Sequence, residues 1–123
     1  MQVLAIAAGG AIGALMRYWV SMAVHHGMGK SFPYGTLTVN VAGSLLIGIL
    51  YVVFNERIEV SPYWRALLMV GMLGAFTTFS TFSIETLELM EKGDMLRAGI
   101  NVLSNVILCI TAAWLGLLVT RLF

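Results

Sequence analysis

The chain has 123 residues, of which 59% are hydrophobic and 11% are charged, and its formal net charge is +1. Soluble domains carry about 25% charged residues, so too few charges remain here to cover a water-soluble fold. Four spanning helices of about 20 residues each would use about 80 residues and leave no room for a separate soluble domain. The single Cys excludes an intrachain disulfide and a cluster of thiolate ligands.

Four apolar runs, separated by charged and turn residues, predict an all-α membrane protein with four transmembrane helices in one domain, residues 1–123. In chain order the predicted spans cover about residues 3–24, 35–54, 63–90 and 96–122. Gly9 and Gly13 in the first span form a small-residue pair that favours close helix packing. The third span is long for a single crossing and contains Gly71, Gly74 and a run of hydroxyl residues. These features predict a break inside the membrane.

The basic residues near the ends of the spans are evenly divided between the two sides of the membrane. Arg57, Arg65 and Arg121 are expected on one side, and Lys30, Lys92 and Arg97 on the other. Basic residues in loops normally set the orientation, so this balance gives almost no bias. Two interpretations stay open. Either another feature orients the chain, or it inserts both ways and pairs antiparallel about a two-fold axis in the membrane plane.

Ionisable residues inside a span indicate function or tight pairing because they are costly in lipid. Arg17 lies well inside the first span, and the alternative is that its side chain reaches back to the interface. Glu85 and Glu88 lie one turn apart near the end of the third span. Glu88 is typical of a solvated helix end, whereas Glu85 lies deeper and its role stays open.

Thr36 and Asn40 are four residues apart on the second span and share one helical face. An amide with a hydroxyl one turn away can donate hydrogen bonds to a partly dehydrated anion. The alternative, favoured by the pattern alone, is an interhelical hydrogen bond that only holds the bundle together.

The segment 71–83 concentrates glycines, hydroxyls and aromatic residues. Phe79 and Phe82 are three apart on one face, with Ser80, Thr81 and Ser83 around them. Carbonyls freed at a helix break suit a hard cation, and the edge of a Phe ring can face an anion. The alternatives are ordinary aromatic packing and hydroxyls bonded to their own helix.

These motifs together resemble one family. The Gly-Thr-Leu-Thr-Val-Asn run at 35–40, Gly74, the Thr-Thr-Phe-Ser-Thr-Phe-Ser run at 77–83 and Glu85 resemble the Fluc family of bacterial fluoride channels, also called CrcB proteins. The resemblance covers essentially the whole chain. It implies an antiparallel homodimer in the cytoplasmic membrane of a prokaryote, with two pores that are each lined by both subunits. Passive fluoride export through them would protect the cell from fluoride toxicity.

The resemblance also implies roles for individual residues. Asn40 would donate to fluoride in the pore, and Phe79 and Phe82 would present ring edges to it. Thr36, Ser80 and Thr81 match a polar track along the pore, and Glu85 matches a carboxylate at the pore end. Arg17 matches an arginine with a structural or vestibule role. Gly74 and Thr77 match the break whose backbone carbonyls hold a structural sodium ion. In the fourth span, Asn101, Asn105 and Cys109 differ from the Tyr and Ser-type residues of some relatives, so no role is assigned to them.

The implied partners are fluoride, membrane lipid and a second copy of the chain, with no nucleic acid and no enzymatic activity. The nearest rival is a small proton-coupled multidrug exporter, which needs an intramembrane carboxylate that the first span lacks. A scaffold subunit, in which Phe79, Phe82 and Asn40 only pack, is a second rival. An intramembrane enzyme is the weakest, because no acid, His or Cys pair converges in the spans.

Overall fold

The computed structural model describes residues 1–123, and every regular element in it is helical. Four helices are long and apolar enough to cross a membrane: Gln2–Met28, Tyr34–Arg57, Pro62–Glu91 and Met95–Leu122. The prediction of an all-α chain with four helices of spanning length is confirmed.

The third of these helices is interrupted, so we number five elements. Helix α1 is Gln2–Met28, and α2 is Tyr34–Val52 with a π-helical last turn at Val53–Arg57. Helix α3 covers residues 62–76 and is π-helical over Ala66–Leu73, α4 is Phe79–Glu91, and α5 is Met95–Leu122. Between α3 and α4 the chain is extended for two residues only.

Turn chemistry sets the ends of these helices. Gly29 follows α1 with φ of 82°, in the left-handed region that favours glycine, and its N–H donates to the His25 carbonyl at 2.9 Å. Pro62 occupies the first turn of α3, where its missing N–H costs nothing. Asp94 caps α5, because its carboxylate accepts the Arg97 N–H at 3.2 Å.

Glycines allow the backbone of α1 to touch the backbone of α3. A Cβ atom built on Gly9 would lie 2.1 Å from the Leu67 carbonyl oxygen, and one on Gly13 would lie 2.0 Å from that of Met72. Gly48 brings α2 equally close to α5, where a Cβ would lie 2.2 Å from the Ala113 carbonyl oxygen. Helices in lipid associate through such close packing, since burial from water does not drive them together.

The outer surface of the bundle is strongly apolar. Of the residues in the most apolar stretch of each span, only 17–28% are buried within the chain. Large hydrophobic side chains such as Leu103, Ile110 and Trp114 on α5 point outward. A surface of this kind is suited to lipid or to a second membrane-embedded subunit.

Basic residues gather at both ends of the bundle. Arg57 donates to the Thr120 carbonyl oxygen at 2.6 Å, and Arg121 forms a 2.6 Å salt bridge with Glu56. Arg65 donates to the Phe54 carbonyl oxygen at the same end. At the opposite end, which carries the connections α1–α2 and α4–α5, Lys30 and Lys92 line a shared cavity.

Candidate functional site

A two-residue break in the third span lies at the centre of the candidate site. Thr77 and Thr78 are extended, with φ and ψ of −85° and 159° for Thr77 and −151° and 123° for Thr78. Thr78 then caps α4, because its Oγ1 accepts the Thr81 N–H at 3.2 Å. The hydroxyls and glycines that predicted a break therefore surround the break that the structure contains.

Asn40 of α2 binds this break through both atoms of its amide group. Its Nδ2 donates to the Thr78 carbonyl oxygen at 3.1 Å, and its Oδ1 accepts the Thr78 N–H at 2.8 Å. The same Nδ2 also donates to Oδ1 of Asn105 on α5 at 3.0 Å. The amide thus replaces the helical hydrogen bonds that Thr78 lacks, and both of its N–H groups are engaged within the chain.

The same arrangement leaves two backbone carbonyls near the break without their helical donors. The Gly74 carbonyl would accept from the Thr78 N–H in a continuous helix, but that N–H donates to Asn40. The Thr77 carbonyl would accept from the Thr81 N–H, which donates to the Thr78 hydroxyl. Gly74 is exposed on this chain and Thr77 is half-buried. Neutral carbonyl oxygens of this kind are hard ligands that suit a small cation.

Close contact with α2 fixes the position of the break. A Cβ on Gly43 would lie 2.2 Å from Cγ2 of Thr77, so only glycine lets α2 pass this close. The Thr77 hydroxyl donates back to the Leu73 carbonyl at 3.0 Å. Val39, Leu73 and Phe76 form a buried apolar cluster on the inner side of the break.

The two aromatic residues of α4 form a pair with very different exposure. The ring centroids of Phe79 and Phe82 are 5.3 Å apart and the rings are tilted by 59°. Phe79 is 77% exposed, whereas Phe82 is 8% exposed. Both line an open groove of about 470 Å³, together with Asn40, Thr78 and Asn105. The structure therefore brings Asn40, Phe79, Phe82, Gly74 and Thr77 together along one groove.

The fourth span contributes two buried amides that sequence reasoning left without a role. Asn101 is 1% exposed and Asn105 is 6% exposed. The Asn105 Nδ2 donates to the Asn101 carbonyl oxygen at 2.9 Å and to Asn101 Oδ1 at 3.1 Å, while Asn101 donates to Thr86 Oγ1 at 2.9 Å. Their spacing of four residues is the signal that could have identified them, since it is the spacing that singled out Thr36 and Asn40.

The remaining hydroxyl candidates lie on either side of the break. Ser80 is exposed, with its Oγ 3.4 Å from the Thr78 hydroxyl, and Thr81 is half-buried and accepts from that hydroxyl at 3.1 Å. Thr36 is buried, 4% exposed, and lies one turn before Asn40. None of the three lines the groove itself; Ser80 and Thr81 lie beside Thr78, and Thr36 lies beside Glu85.

Glu85 lies in a second cavity, of about 270 Å³, at the end of the bundle. Its carboxyl group lies beside Thr36 and His25, and its Oε1 is buried without a hydrogen-bond partner. Lys30 and Lys92 line the same cavity. Glu85 lies beside Thr36, and Thr36 lies one turn before Asn40 on α2.

Arg17 lines neither of the two cavities. Its side chain is half-buried and forms no salt bridge, since the two salt bridges of the chain are Arg97 with Asp94 and Arg121 with Glu56. The chain on its own therefore supplies no charged partner for an arginine inside a spanning helix.

Four spanning helices around a groove of neutral amides, hydroxyls and ring edges define a multi-pass membrane protein with a polar site inside its bundle. The family model described as CrcB-like protein, Camphor Resistance (CrcB), matches residues 4–117. The chain belongs to this family, in agreement with the resemblance identified in the sequence.

Similar proteins cover nearly the whole chain. A protein of Magnetococcus marinus is 52% identical over 99% of this chain and 99% of its own length, and one of Shewanella amazonensis is 54% identical over 94% and 92%. A protein of Methylococcus capsulatus is 50% identical over 98% of this chain, which spans 53% of that longer relative. All three are named as fluoride-specific ion channels, so these relatives have a transport function and are not enzymes.

Proposed function

We propose that the chain is a subunit of a fluoride-selective channel that exports fluoride passively across the cytoplasmic membrane of a prokaryote. The relatives that cover nearly all of the chain are named for this activity. The observation that carries the proposal is the groove in which the Asn40 amide, the broken span and the Phe79 and Phe82 rings converge. Export of fluoride would protect the cell from its toxicity.

The chemistry of the groove suits a small and strongly hydrated anion. Such an ion enters a pore only where donors replace its water shell at close range. Ring edges carry the positive part of the aromatic quadrupole, and the exposed Phe79 is free to present its edge. Asn40 can donate to the ion only in exchange for one of its present bonds, to Asn105 or Thr78. A lysine or arginine at this point would hold the anion too tightly for fast passage.

The polar residues beside the groove extend the proposed route. Thr36 lies beside Glu85 of the end cavity and one turn before Asn40, and we assign Thr36, Ser80 and Thr81 to a polar track. The Glu85 carboxylate would stand at the pore end beside Thr36 and His25, with its Oε1 buried and without a hydrogen-bond partner in the chain. Arg17, which has no charged partner in the chain, is assigned a structural or vestibule role in the assembled channel.

A second copy, inserted antiparallel, completes the proposed pores. One chain leaves the groove open and the Phe79 ring 77% exposed. Three basic residues lie near each end of the bundle, as insertion in both directions requires. In the homodimer each pore would be lined by both subunits, with the axis in the membrane plane. Membrane lipid would cover the remaining apolar surface.

A structural sodium ion is proposed at the centre of this dimer. The Gly74 and Thr77 carbonyls fit the role, because both have lost their helical donors and Gly74 is exposed on this chain. A sodium ion would hold the broken spans of the two subunits together, because carbonyl oxygens of both would bind its positive charge. Flux measured after sodium is replaced by N-methylglucamine should fall, and unchanged flux together with no bound sodium would remove the ion from the proposal.

The membrane potential supplies the driving force. An inside-negative potential favours outward movement of an anion by about 2.3 kcal/mol per charge per 100 mV. No proton or second substrate is needed for this movement.

Efflux from liposomes tests the proposal. Purified protein is reconstituted into vesicles loaded with potassium fluoride or potassium chloride, and valinomycin is added to balance the charge. We expect rapid fluoride release and no chloride release above that of empty vesicles. Proton-linked drug uptake without fluoride release would favour the exporter, and absence of all flux from correctly assembled protein would favour the scaffold.

A further inference from the structure

We propose that Asn101 and Asn105 of α5 are positioning residues that set the geometry of the Phe79 and Phe82 pair without contacting the permeating ion. Together with Asn40 and Thr86 they form a continuous hydrogen-bonded chain, which we call the amide relay. The inference rests on the proposed function only where fluoride flux is the measurement.

The relay begins and ends on the backbone of the aromatic segment. At one end Asn40 binds the N–H and carbonyl of Thr78, the residue directly before Phe79, at 2.8 and 3.1 Å. At the other end the Thr86 hydroxyl donates to the Phe82 carbonyl at 2.8 Å. Asn40 and Thr86 are connected only through the two amides of α5, by bonds of 3.0, 3.1 and 2.9 Å.

Burial makes these bonds obligatory. Asn101 and Asn105 are 1% and 6% exposed, so the loss of a partner would leave a largely buried amide group unsatisfied. The Asn105 side chain donates both N–H groups to Asn101 and accepts from Asn40, which leaves none of its donors for an ion. Loss of one hydrogen bond therefore disturbs the other bonds of the relay, because each amide can turn only by breaking another bond.

The relay also links α4 to the rest of the chain at the point where the span is broken. Two extended residues separate α4 from α3, so the backbone alone does not fix the rotation of α4. Helix α4 packs mainly against α5. The relay supplies the polar bonds between these helices, and the rotation that it fixes decides where Phe79 and Phe82 point.

Thr86 offers the sharpest test, since Thr86→Val removes its hydroxyl with little change in shape and Thr86→Ser keeps it. Thr120→Val is the matched control, because the Thr120 hydroxyl bonds only to the Gly116 carbonyl of its own helix, at 2.6 Å. We expect Thr86→Val to lower fluoride efflux about tenfold, corresponding to one hydrogen bond of about 1.4 kcal/mol. Thr86→Ser and Thr120→Val should conduct like the original protein. Full flux in Thr86→Val, or a loss that Thr86→Ser shares, would overturn the relay.

A spectroscopic measurement separates this inference from the proposed function. With 4-fluorophenylalanine at Phe79 or Phe82, the ¹⁹F resonance should shift in Thr86→Val and stay in place in Thr86→Ser and Thr120→Val, whether or not the protein conducts. Unmoved resonances in Thr86→Val would refute positioning, whereas shifted resonances in a protein without fluoride flux would refute only the channel.

A double mutant tests the continuity of the relay. The side chains of Asn105 and Thr86 do not bond to each other, so independent roles would make their flux losses multiply. The relay predicts that Asn105→Ala with Thr86→Val loses no more than Asn105→Ala alone. A loss equal to the product of the two single losses would show that the relay does not transmit.

Discussion

At the scale of single residues, the Asn40 amide joins two requirements that sequence patterns present as alternatives. It forms the interhelical hydrogen bonds that hold the broken span, and it lines the groove in which we propose that fluoride passes. Substitution by an apolar residue would not distinguish the two roles, because the buried backbone N–H and carbonyl of Thr78 would also lose their hydrogen-bond partners. A useful substitution must keep the shape and the acceptor and change only the donor.

Asn40→Asp keeps the shape and the acceptor. The carboxylate keeps the acceptor for the Thr78 N–H, but it loses both N–H donors and adds a negative charge in the proposed path of an anion. We expect fluoride efflux to fall at least about 100-fold, equivalent to about 2.7 kcal/mol. Asn55→Asp, on the exposed turn after α2, is the control and should conduct normally. Comparable efflux in the two variants would remove Asn40 from the pore.

Substitutions in the aromatic pair distinguish effects on the stability of the protein from effects on fluoride efflux. Phe79→Ile changes a ring that is 77% exposed, so we expect the unfolding temperature in detergent to stay unchanged while fluoride efflux falls about tenfold or more. Phe82→Ile, at a buried position, should lower both, with about 1–3 kcal/mol lost in stability. The exposed Phe123→Ile is the control. Normal efflux in Phe79→Ile would show that its ring edge is not part of the route.

At the scale of helices, contact between backbones holds the bundle together. Gly13 and Gly9 bring the backbone of α1 against the π-helical part of α3, and Gly48 brings the backbone of α2 against α5. Since lipid offers little hydrophobic drive for association, separating these backbones by the width of a methyl group removes the packing that stabilises the pairs.

Gly13→Ala tests this packing. Its Cβ would lie 2.0 Å from the Met72 carbonyl oxygen, so the two helices must move apart, at a cost of about 1–3 kcal/mol. Thermal unfolding in detergent should occur at a lower temperature than in the unsubstituted protein. Gly10→Ala is the matched control, because nothing lies within 4 Å of its Cβ position. Alanine favours a helix more than glycine does, so Gly10→Ala should not lose stability, and an equal loss in both variants would contradict packing as the cause.

The helices and the break were more predictable from the sequence than the partners of each side chain. Hydropathy predicts the four spanning helices because lipid imposes their length and composition. The glycines and hydroxyls at 71–81 predict the broken span. Asn105 as the partner of Asn40 was not predictable, since that contact depends on which helices are neighbours and how they are rotated. The π-helical stretch Ala66–Leu73 has no signal in the apolar pattern of its residues.

At the scale of the whole molecule, one bundle is a small part of the proposed channel. Its groove is open, Phe79 and Gly74 are exposed, and the Gly74 carbonyl lacks its helical donor. Arg57, Arg65 and Arg121 lie at one end of the bundle, with Lys30, Lys92 and Arg97 near the other. A second copy with opposite orientation would cover the groove and balance these charges.

Charge substitutions test insertion in both directions. Asn55→Lys with Glu59→Lys adds basic charge at one end, and His26→Lys with Gly27→Lys adds it at the other; all four positions are exposed. Because loop charge sets orientation, each double variant expressed alone should insert one way and show little fluoride efflux. Coexpression of the two should restore efflux. Full activity of either variant alone would contradict the antiparallel dimer.

The most direct test of passive fluoride conduction is the reversal potential in a planar bilayer. The chain is reconstituted between two fluoride solutions, with chloride and pH varied independently on each side. We predict a current whose reversal potential shifts by about 59 mV for each tenfold fluoride gradient and does not respond to chloride or pH. A reversal potential that follows pH or chloride, or a dimer that carries no current at all, would contradict a fluoride channel.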